Sequence, residues 1–166
     1  MYKDDAIQET VIQYSDANYE TERNKPMPSF NHSAIQTNLS FLIKSNYRKK
    51  YRALSEPTFE LSEWKSVPDI AIIPWNKLNT EEDQIKVTKA PLGVIEILSP
   101  KQSFNELLDK AKTYFKHGVN SCWIILPRID NVYVFSAPRE YEIFKINETL
   151  EDKKLKIKLK VEEIFE

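Results

Sequence analysis

Two acidic residues stand inside short apolar stretches of this 166-residue sequence. Asp69 lies in VPDIAIIP (67–74), and Glu96 lies in PLGVIEILSP (91–100). A buried, ionised carboxylate needs a metal, a base or hydrogen-bond donors to offset its desolvation. The two acids are therefore candidate ligands for Mg²⁺ or Mn²⁺, and such an ion could generate hydroxide and stabilise charge on a phosphoryl oxygen. The alternative is that each acid caps a loop or forms a surface ion pair.

Both stretches are predicted to be β-strands, since they are rich in β-branched residues and too short for helices. Adjacent strands lie about 4.8 Å apart, so acids on the same face could share one cation. A helix is predicted over 103–117, with Gly118 as its C-cap, and SCWIILP (121–127) is a second buried strand. Strand, helix and strand predict a right-handed βαβ crossover. The apolar face of the helix is expected to contain Phe104, Leu107, Leu108, Ala111 and Phe115.

The rest of the sequence predicts further helices and antiparallel strands. An amphipathic helix is expected over residues 1–18, and a second helix is expected to start at Asn31 or Ser33 as its cap and to end near Asn46. Three later segments, NVYVFSA, EYEIFKI and KLKIKLKVEEIF, alternate in polarity and are typical of antiparallel strands. We expect a single α/β domain over residues 1–166, with a mixed β-sheet flanked by helices. The apolar stripe of the second helix contains Ile35, Leu39, Leu42 and Ile43.

Composition excludes several other classes of site. The single cysteine, Cys122, excludes an internal disulfide and a cysteine-based zinc site, and two glycines are too few for a glycine-rich phosphate loop. The 24 basic and 25 acidic residues nearly balance, so nucleic acid would have to bind through local patches. No apolar run is long enough to cross a bilayer, and the acidic N-terminus is unlike a signal peptide, so we expect a cytoplasmic protein that does not bind membranes.

The order of four motifs resembles the Uma-two family of putative restriction endonucleases, within the PD-(D/E)XK nuclease superfamily. The motifs are PD, EILSP, DKAKTYFKHGV and CWIILP, and the upstream segment NYETERNKPMPSFNHSAIQTNL is also similar to that family. The resemblance covers about residues 10–130. It implies a restriction-endonuclease-like core and a magnesium-dependent endonuclease acting on DNA, with Asp69 and Glu96 as catalytic metal ligands.

The resemblance also implies a catalytic lysine. The superfamily's usual lysine would stand two residues after the glutamate, where this chain has Leu98. In this family the lysine is thought to lie on the following helix, and Lys110 matches that pattern; it would position the attacking water and stabilise the phosphate. Helical periodicity alone places Lys110 and Lys112 on opposite flanks of the apolar face and only mildly favours Lys110. Lys101, just beyond the strand, is a further candidate for contact with nucleic acid.

Two upstream residues match the family segment. Glu20 corresponds to the glutamate of a YE pair and would bring a third carboxylate to the metal, although Asn24 replaces the glycine usual nearby. His32 corresponds to a helix-opening histidine that could contact phosphate, or it could be structural. The basic run KSNYRKKYR (44–52) is a candidate patch for contact with a nucleic-acid backbone, or it is a solvated helix end.

Three functions fit these observations. The first is a metal-dependent endonuclease, for which a homodimer is expected because cutting both strands of DNA needs two sites. The second is a catalytically degenerate module on the same fold that binds nucleic acid or another protein. The third is an enzyme acting on a different phosphate ester, since a fold alone does not fix the substrate.

Overall fold

The computed structural model describes residues 20–21 and 25–166. The helix at Phe30–Tyr47 is designated α1. The helix expected over residues 1–18 lies outside the described residues. Helix α1 begins earlier than predicted: its N-cap is Ser29 rather than Asn31 or Ser33, and Ser29 Oγ accepts a hydrogen bond from the backbone N–H of His32 at 3.3 Å. Ser29 follows Pro28 in extended backbone, which is the conformation that an N-cap requires.

Ten strands follow α1 in the described chain, and six of them form one mixed sheet in the order β1-β4-β5-β6-β7-β8. Strands β5 and β6 are parallel, and the other neighbours are antiparallel. The expected mixed α/β sheet is therefore confirmed. In chain order the strands are β1 (Tyr51–Ser55), β2 (Phe59–Leu61), β3 (Trp64–Ser66), β4 (Ile70–Pro74), β5 (Gly93–Ile97), β6 (Ser121–Leu126), β7 (Asn131–Ala137), β8 (Glu140–Phe144), β9 (Thr149–Asp152) and β10 (Ile157–Lys160).

Helix α2 (Phe104–Lys116) connects the parallel strands β5 and β6, as the strand-helix-strand pattern predicted. Its most buried residues are Leu107, Ala111 and Tyr114, whereas Phe115 is only half-buried. The buried face is thus rotated relative to the predicted one. A tyrosine can occupy the centre of this face because its hydroxyl forms hydrogen bonds inside the protein.

The two faces of the sheet pack against different layers. The apolar stripe of α1 (Ile35, Leu39, Leu42 and Ile43) packs on one face, together with the β9–β10 ribbon. Helix α2 packs on the other face against alternate residues of β5 and β6, which include Val94, Cys122 and Ile124. Side chains alternate along a strand, so Glu96 lies on the α2 side with Val94.

The C-terminal segment differs from its prediction. KLKIKLKVEEIF was expected to be one strand, but only Ile157–Lys160 is, and Val161–Phe165 forms a short helix, α3. Val161 and Ile164 are both buried, and their spacing of three residues matches a helix face rather than a strand face. Among the helices of the described part of the chain, none combines the length and the apolarity needed to span a membrane.

Candidate metal centre and cleft

The sheet places the two predicted acids opposite each other. Strands β4 and β5 are antiparallel, with Ile70 paired to Ile95, and one further step in this register sets Asp69 opposite Glu96. Directly opposed residues point to the same face with their Cβ atoms about 4.5–5.5 Å apart. Asp69 is 1% exposed and Glu96 is 2% exposed. The structure therefore joins both acids in one buried pair beneath α2.

Asp69 lies among hydrogen-bond donors and positive charges. Its Oδ2 accepts a hydrogen bond from the backbone N–H of Ile97 at 2.6 Å. Its Oδ1 contacts the Lys25 ammonium and lies 3.2 Å from His32 Nε2. Burial alone would raise the pKa of Asp69, but the hydrogen bond from His32 and the charge of Lys25 outweigh burial and lower the pKa to about 2. Asp69 is therefore an anion at neutral pH.

The backbone of Asp69 is held as firmly as its side chain. Its carbonyl oxygen accepts hydrogen bonds from Gln36 Nε2 at 2.8 Å and from the backbone N–H of Glu56 at 3.0 Å. Gln36 lies on α1 and Glu56 follows β1 directly. Helix α1 and the residue after β1 thus hold the backbone that carries the carboxylate.

Glu96 has one cation and one hydroxyl as partners. Its Oε1 accepts hydrogen bonds from the Tyr114 hydroxyl and from Lys110 Nζ, both at 2.7 Å. The Tyr114 oxygen lies 2.7 Å from Ser66 Oγ, and since Tyr114 donates its proton to Glu96, Ser66 is the donor in that pair. Burial raises the pKa of Glu96, and Lys110 opposes that rise. Burial also raises the pKa of Tyr114 well above 10.0, which keeps the phenol protonated.

The two candidate lysines of α2 have different partners. Lys110 is 21% exposed and reaches Glu96, whereas Lys112 is 57% exposed and pairs with Asp109 at 2.9 Å. Leu98, at the position of the superfamily's usual lysine, packs against the apolar residues beneath α2. Within the described chain, the lysine of Glu96 therefore comes from the helix and not from the strand.

A cleft of about 660 Å³ opens beside this pair and is lined by Asp69 and by Lys110, the partner of Glu96. The pocket walls carry positive and negative groups in similar numbers. The charged or ionisable side chains that line it are Lys25, His32, Glu56, Lys65, Asp69, Glu106, Asp109 and Lys110. The described cleft residues therefore provide specific contacts rather than a strongly positive surface.

Two further predicted residues lie away from the acid pair. Glu20 accepts a hydrogen bond from the backbone N–H of Met27 at 3.2 Å, and its carbonyl accepts one from the N–H of Lys25 at 3.2 Å. Glu20 thereby holds the backbone at Lys25 and Met27, and no contact with the acid pair is among its described bonds. Lys101 is exposed, and its neighbours Ser99 and Gln102 line the cleft instead. Roles for Glu20 and Lys101 stay predictions.

His32 is buried beside Asp69, where it can position the carboxylate. It is 3% exposed, its Nε2 faces Asp69, and its Nδ1 is buried without a hydrogen-bond partner among the described residues. His117, by contrast, caps α2 with Nδ1 at 2.9 Å from the Thr113 carbonyl, and it stacks on Trp64.

Sequence reasoning missed Lys25 and Tyr114. Lys25 lies in a proline-bounded loop whose path no periodicity specifies, and the only signal was its place seven residues before His32. Tyr114 had a better signal, because residues four apart on a helix share a face and Lys110 was already a candidate. The predicted apolar face contains Phe115 instead of Tyr114, so the pattern did not mark Tyr114 as a buried residue.

The lowered pKa of Asp69 predicts a loss of stability in acid. A carboxyl whose folded pKa is depressed adds stability above its ordinary pKa of 3.8 and loses it as pH falls toward about 2. The shift corresponds to roughly 2 kcal/mol at neutral pH. Urea unfolding in EDTA should show the native protein more stable than Asp69→Asn by this amount at pH 7, with the difference shrinking toward pH 2. A difference that is constant from pH 7 to pH 2 would contradict the assignment.

Comparison with known proteins supplies a family. The Uma2 family model, described as a putative restriction endonuclease, matches residues 8–161. Among solved structures, a putative nuclease belonging to DUF820 from Anabaena variabilis shares 28% identity with a TM-score of 0.74, over 84% of this chain and 83% of that chain. No curated protein matches the chain. The family match confirms the resemblance seen in the motifs and extends it beyond residue 130 to the β10 strand.

Proposed function

We propose that this chain, which belongs to the Uma2 family of putative restriction endonucleases, is a metal-dependent nuclease that hydrolyses phosphodiester bonds in DNA. The observation that carries the proposal is the buried pair Asp69 and Glu96, opposed across β4 and β5 beside a cleft with a lysine at each acid. The nuclease description of the Anabaena variabilis protein supports the same activity.

The donor set of the pair suits a divalent cation. Carboxylate oxygens are the ligands that Mg²⁺ and Mn²⁺ prefer, and Asp69 is ionised at neutral pH. Each carboxylate already contacts an ammonium group, which shows that the pair attracts positive charge. Among the described residues, no group of three His, Cys, Asp or Glu side chains is arranged to hold a metal ion, so Asp69 and Glu96 would hold the ion with oxygens from water or substrate.

A bound Mg²⁺ would supply Lewis-acid stabilisation of the phosphoryl oxygens and a more acidic water. The chain's own residues prepare the site for that ion. Lys110 opposes the rise in the pKa of Glu96 that burial causes, and its ammonium group on the cleft wall is placed to bind a phosphate oxygen or water. His32 and Lys25 likewise stabilise the negative charge of Asp69. Cutting both strands of a duplex would need two such clefts, which a homodimer would supply.

A second candidate function is a non-catalytic binding module on the same fold. The favouring observation is that Lys25 and Lys110 already neutralise the acid pair, so the buried charges are compensated without an ion. Under this alternative the lysines are the permanent partners of the acids, and the cleft holds nucleic acid or protein without cleaving it.

Cleavage assays separate the two functions. The full chain is incubated with supercoiled plasmid, single-stranded DNA and RNA, each with Mg²⁺, Mn²⁺ or EDTA. We expect cleavage of DNA only with a metal, loss of cleavage in Asp69→Ala, and retention in Asp109→Ala, which changes an exposed acid of the same cleft. Failure of every substrate and metal combination would favour the non-catalytic module, and undiminished cleavage by Asp69→Ala would show that the catalytic role assigned to Asp69 is wrong.

A further inference from the structure

A second groove lies between α1 and the edge strand β1. Its volume is about 760 Å³, and it is separate from the cleft beside the acid pair. Hydroxyl and amide groups line the end nearer the start of α1, and larger side chains line the rest. The lining residues include Ser33, Gln36, Phe41, Lys44, Arg48, Arg52 and Trp75.

The groove concentrates positive charge. Lys44, Arg48 and Arg52 line it, and no aspartate or glutamate stands among its described lining residues. Lys44 lies in the last turn of α1 and Arg48 is the C-cap, still in helical backbone, so these residues, four apart, share one face. Because the whole chain carries a net charge of −1 and the cleft mixes both signs, this groove is a local patch suited to phosphates.

Two large aromatic side chains accompany these cations. Phe41 is 67% exposed and Trp75 is 53% exposed, although both are apolar. Trp75 is anchored by its backbone N–H, which donates to the Lys50 carbonyl at 3.0 Å. The next residue, Asn76, accepts two hydrogen bonds from the Arg52 guanidinium, at 3.0 and 2.6 Å. The backbone of Trp75 and the Arg52 guanidinium are therefore both held in place at this end of the groove.

The groove meets the cleft at Asp69. Gln36 lines the groove, and its amide donates to the Asp69 carbonyl at 2.8 Å. Neighbouring residues of α1 divide between the two sites: Ser33 lines the groove, and His32 lines the cleft. From Ser33 to Arg48 the helix rises about 22 Å, which gives a polymer an extended path that ends at the acid pair.

We propose that this groove binds an unpaired strand of nucleic acid and leads it to the cleft. Bases stack on Phe41 and Trp75, while phosphates contact Lys44, Arg48 and Arg52. Stacking requires exposed base faces, which a duplex hides, so the aromatic rings select single-stranded DNA or a frayed end. The inference rests on the proposed nuclease function and deepens it by assigning the substrate class.

The test is binding without cleavage. Fluorescence anisotropy in EDTA measures the affinity of the full chain for a labelled oligo-dT and for a duplex of the same length. We expect tighter binding of the single strand, and at least about fivefold weaker binding in Trp75→Ala, the effect of losing one stacked base. Arg48→Ala with Lys44→Ala should weaken binding and lower the salt slope by about 1.4, which corresponds to two phosphate contacts.

Matched controls lie elsewhere on the surface. Lys116→Ala changes an exposed lysine of α2, and Tyr141→Ala changes a 51% exposed aromatic residue on β8, the opposite edge strand. Both should bind oligo-dT as the native chain does. Circular dichroism and urea unfolding establish that every variant is folded.

Three results would overturn the inference. The first is equal affinity for duplex and single strand. The second is unchanged oligonucleotide binding in Trp75→Ala and in the double variant. The third is a Trp75→Ala protein that loses self-association but keeps oligonucleotide binding. The last result would assign the groove to a second copy of the chain. Because binding is measured in EDTA, absence of cleavage with every metal would refute the nuclease but leave the groove result standing. Conversely, a negative binding result would refute the groove inference but leave the nuclease proposal standing.

Discussion

Replacing Glu96 with glutamine is expected to lower the rate of DNA cleavage at least about a hundredfold, a loss comparable to removing one electrostatic contact to a transition state. The amide is isosteric with the carboxylate and its carbonyl can still accept hydrogen bonds from Tyr114 and Lys110. Only the negative charge that would hold the metal is removed. The raised pKa of Glu96 shows that its ionised form is disfavoured by folding, so the variant should be at least as stable as the native protein.

The measurement combines initial rates of cleavage with urea unfolding at pH 7. Asp109→Asn is the matched control, because Asp109 lines the same cleft but is 75% exposed and pairs only with Lys112 among the described residues. It should leave both quantities close to native. A Glu96→Gln protein that cleaves at the native rate would remove Glu96 from the proposed mechanism, whereas an unstable one would show a structural role for its charge.

Lys110→Met should have the second-largest effect. It leaves the Glu96 carboxylate buried with Tyr114 as its only described partner, and an unmatched charged group of this kind costs about 1.5–3 kcal/mol. The pKa of Glu96 should rise further. Above that pKa Glu96 is ionised, and its buried charge destabilises the variant most. The stability difference from the native protein is therefore largest at pH 8 and shrinks in acid as Glu96 takes up a proton.

Chemical unfolding at pH 8 and pH 5 measures this difference. Lys112→Met, two residues away on α2 with an exposed side chain, should change stability by less than about 0.5 kcal/mol at both values. Combining Lys110→Met with Glu96→Gln should restore most of the lost stability, because the buried charge is gone. Equal losses in Lys110→Met and Lys112→Met would show that Glu96 does not depend on Lys110.

The opposed acids could be predicted from the sequence because strand geometry is regular. Once VPDIAIIP and PLGVIEILSP are strands, alternation and a single register decide whether Asp69 and Glu96 share a face. Lys25 could not be predicted in the same way, since it lies in a loop whose path depends on tertiary contacts. The N-cap at Ser29 likewise depends on where the chain enters α1, which local composition left ambiguous between several polar residues.

A third buried acid shows why burial alone does not identify a functional carboxylate. Asp152 is 1% exposed, as deeply buried as Asp69. Its partners are neutral donors: the Ser121 hydroxyl, the Trp123 indole N–H and the backbone N–H of Leu155. Asp152 thus ties β9 to β6 in a structural role. Asp69 and Glu96 differ because their partners carry positive charge and because a cleft opens beside them.

The central claim is that Asp69 and Glu96 together hold a divalent metal. Isothermal titration of Mn²⁺ into the full, EDTA-treated chain tests it most directly and needs no substrate. The account predicts that the native chain and Asp109→Asn bind Mn²⁺ alike, and that Asp69→Asn and Glu96→Gln each bind it at least about tenfold more weakly. Absence of Mn²⁺ binding by the native chain, or equal affinity in all four proteins, would contradict the claim.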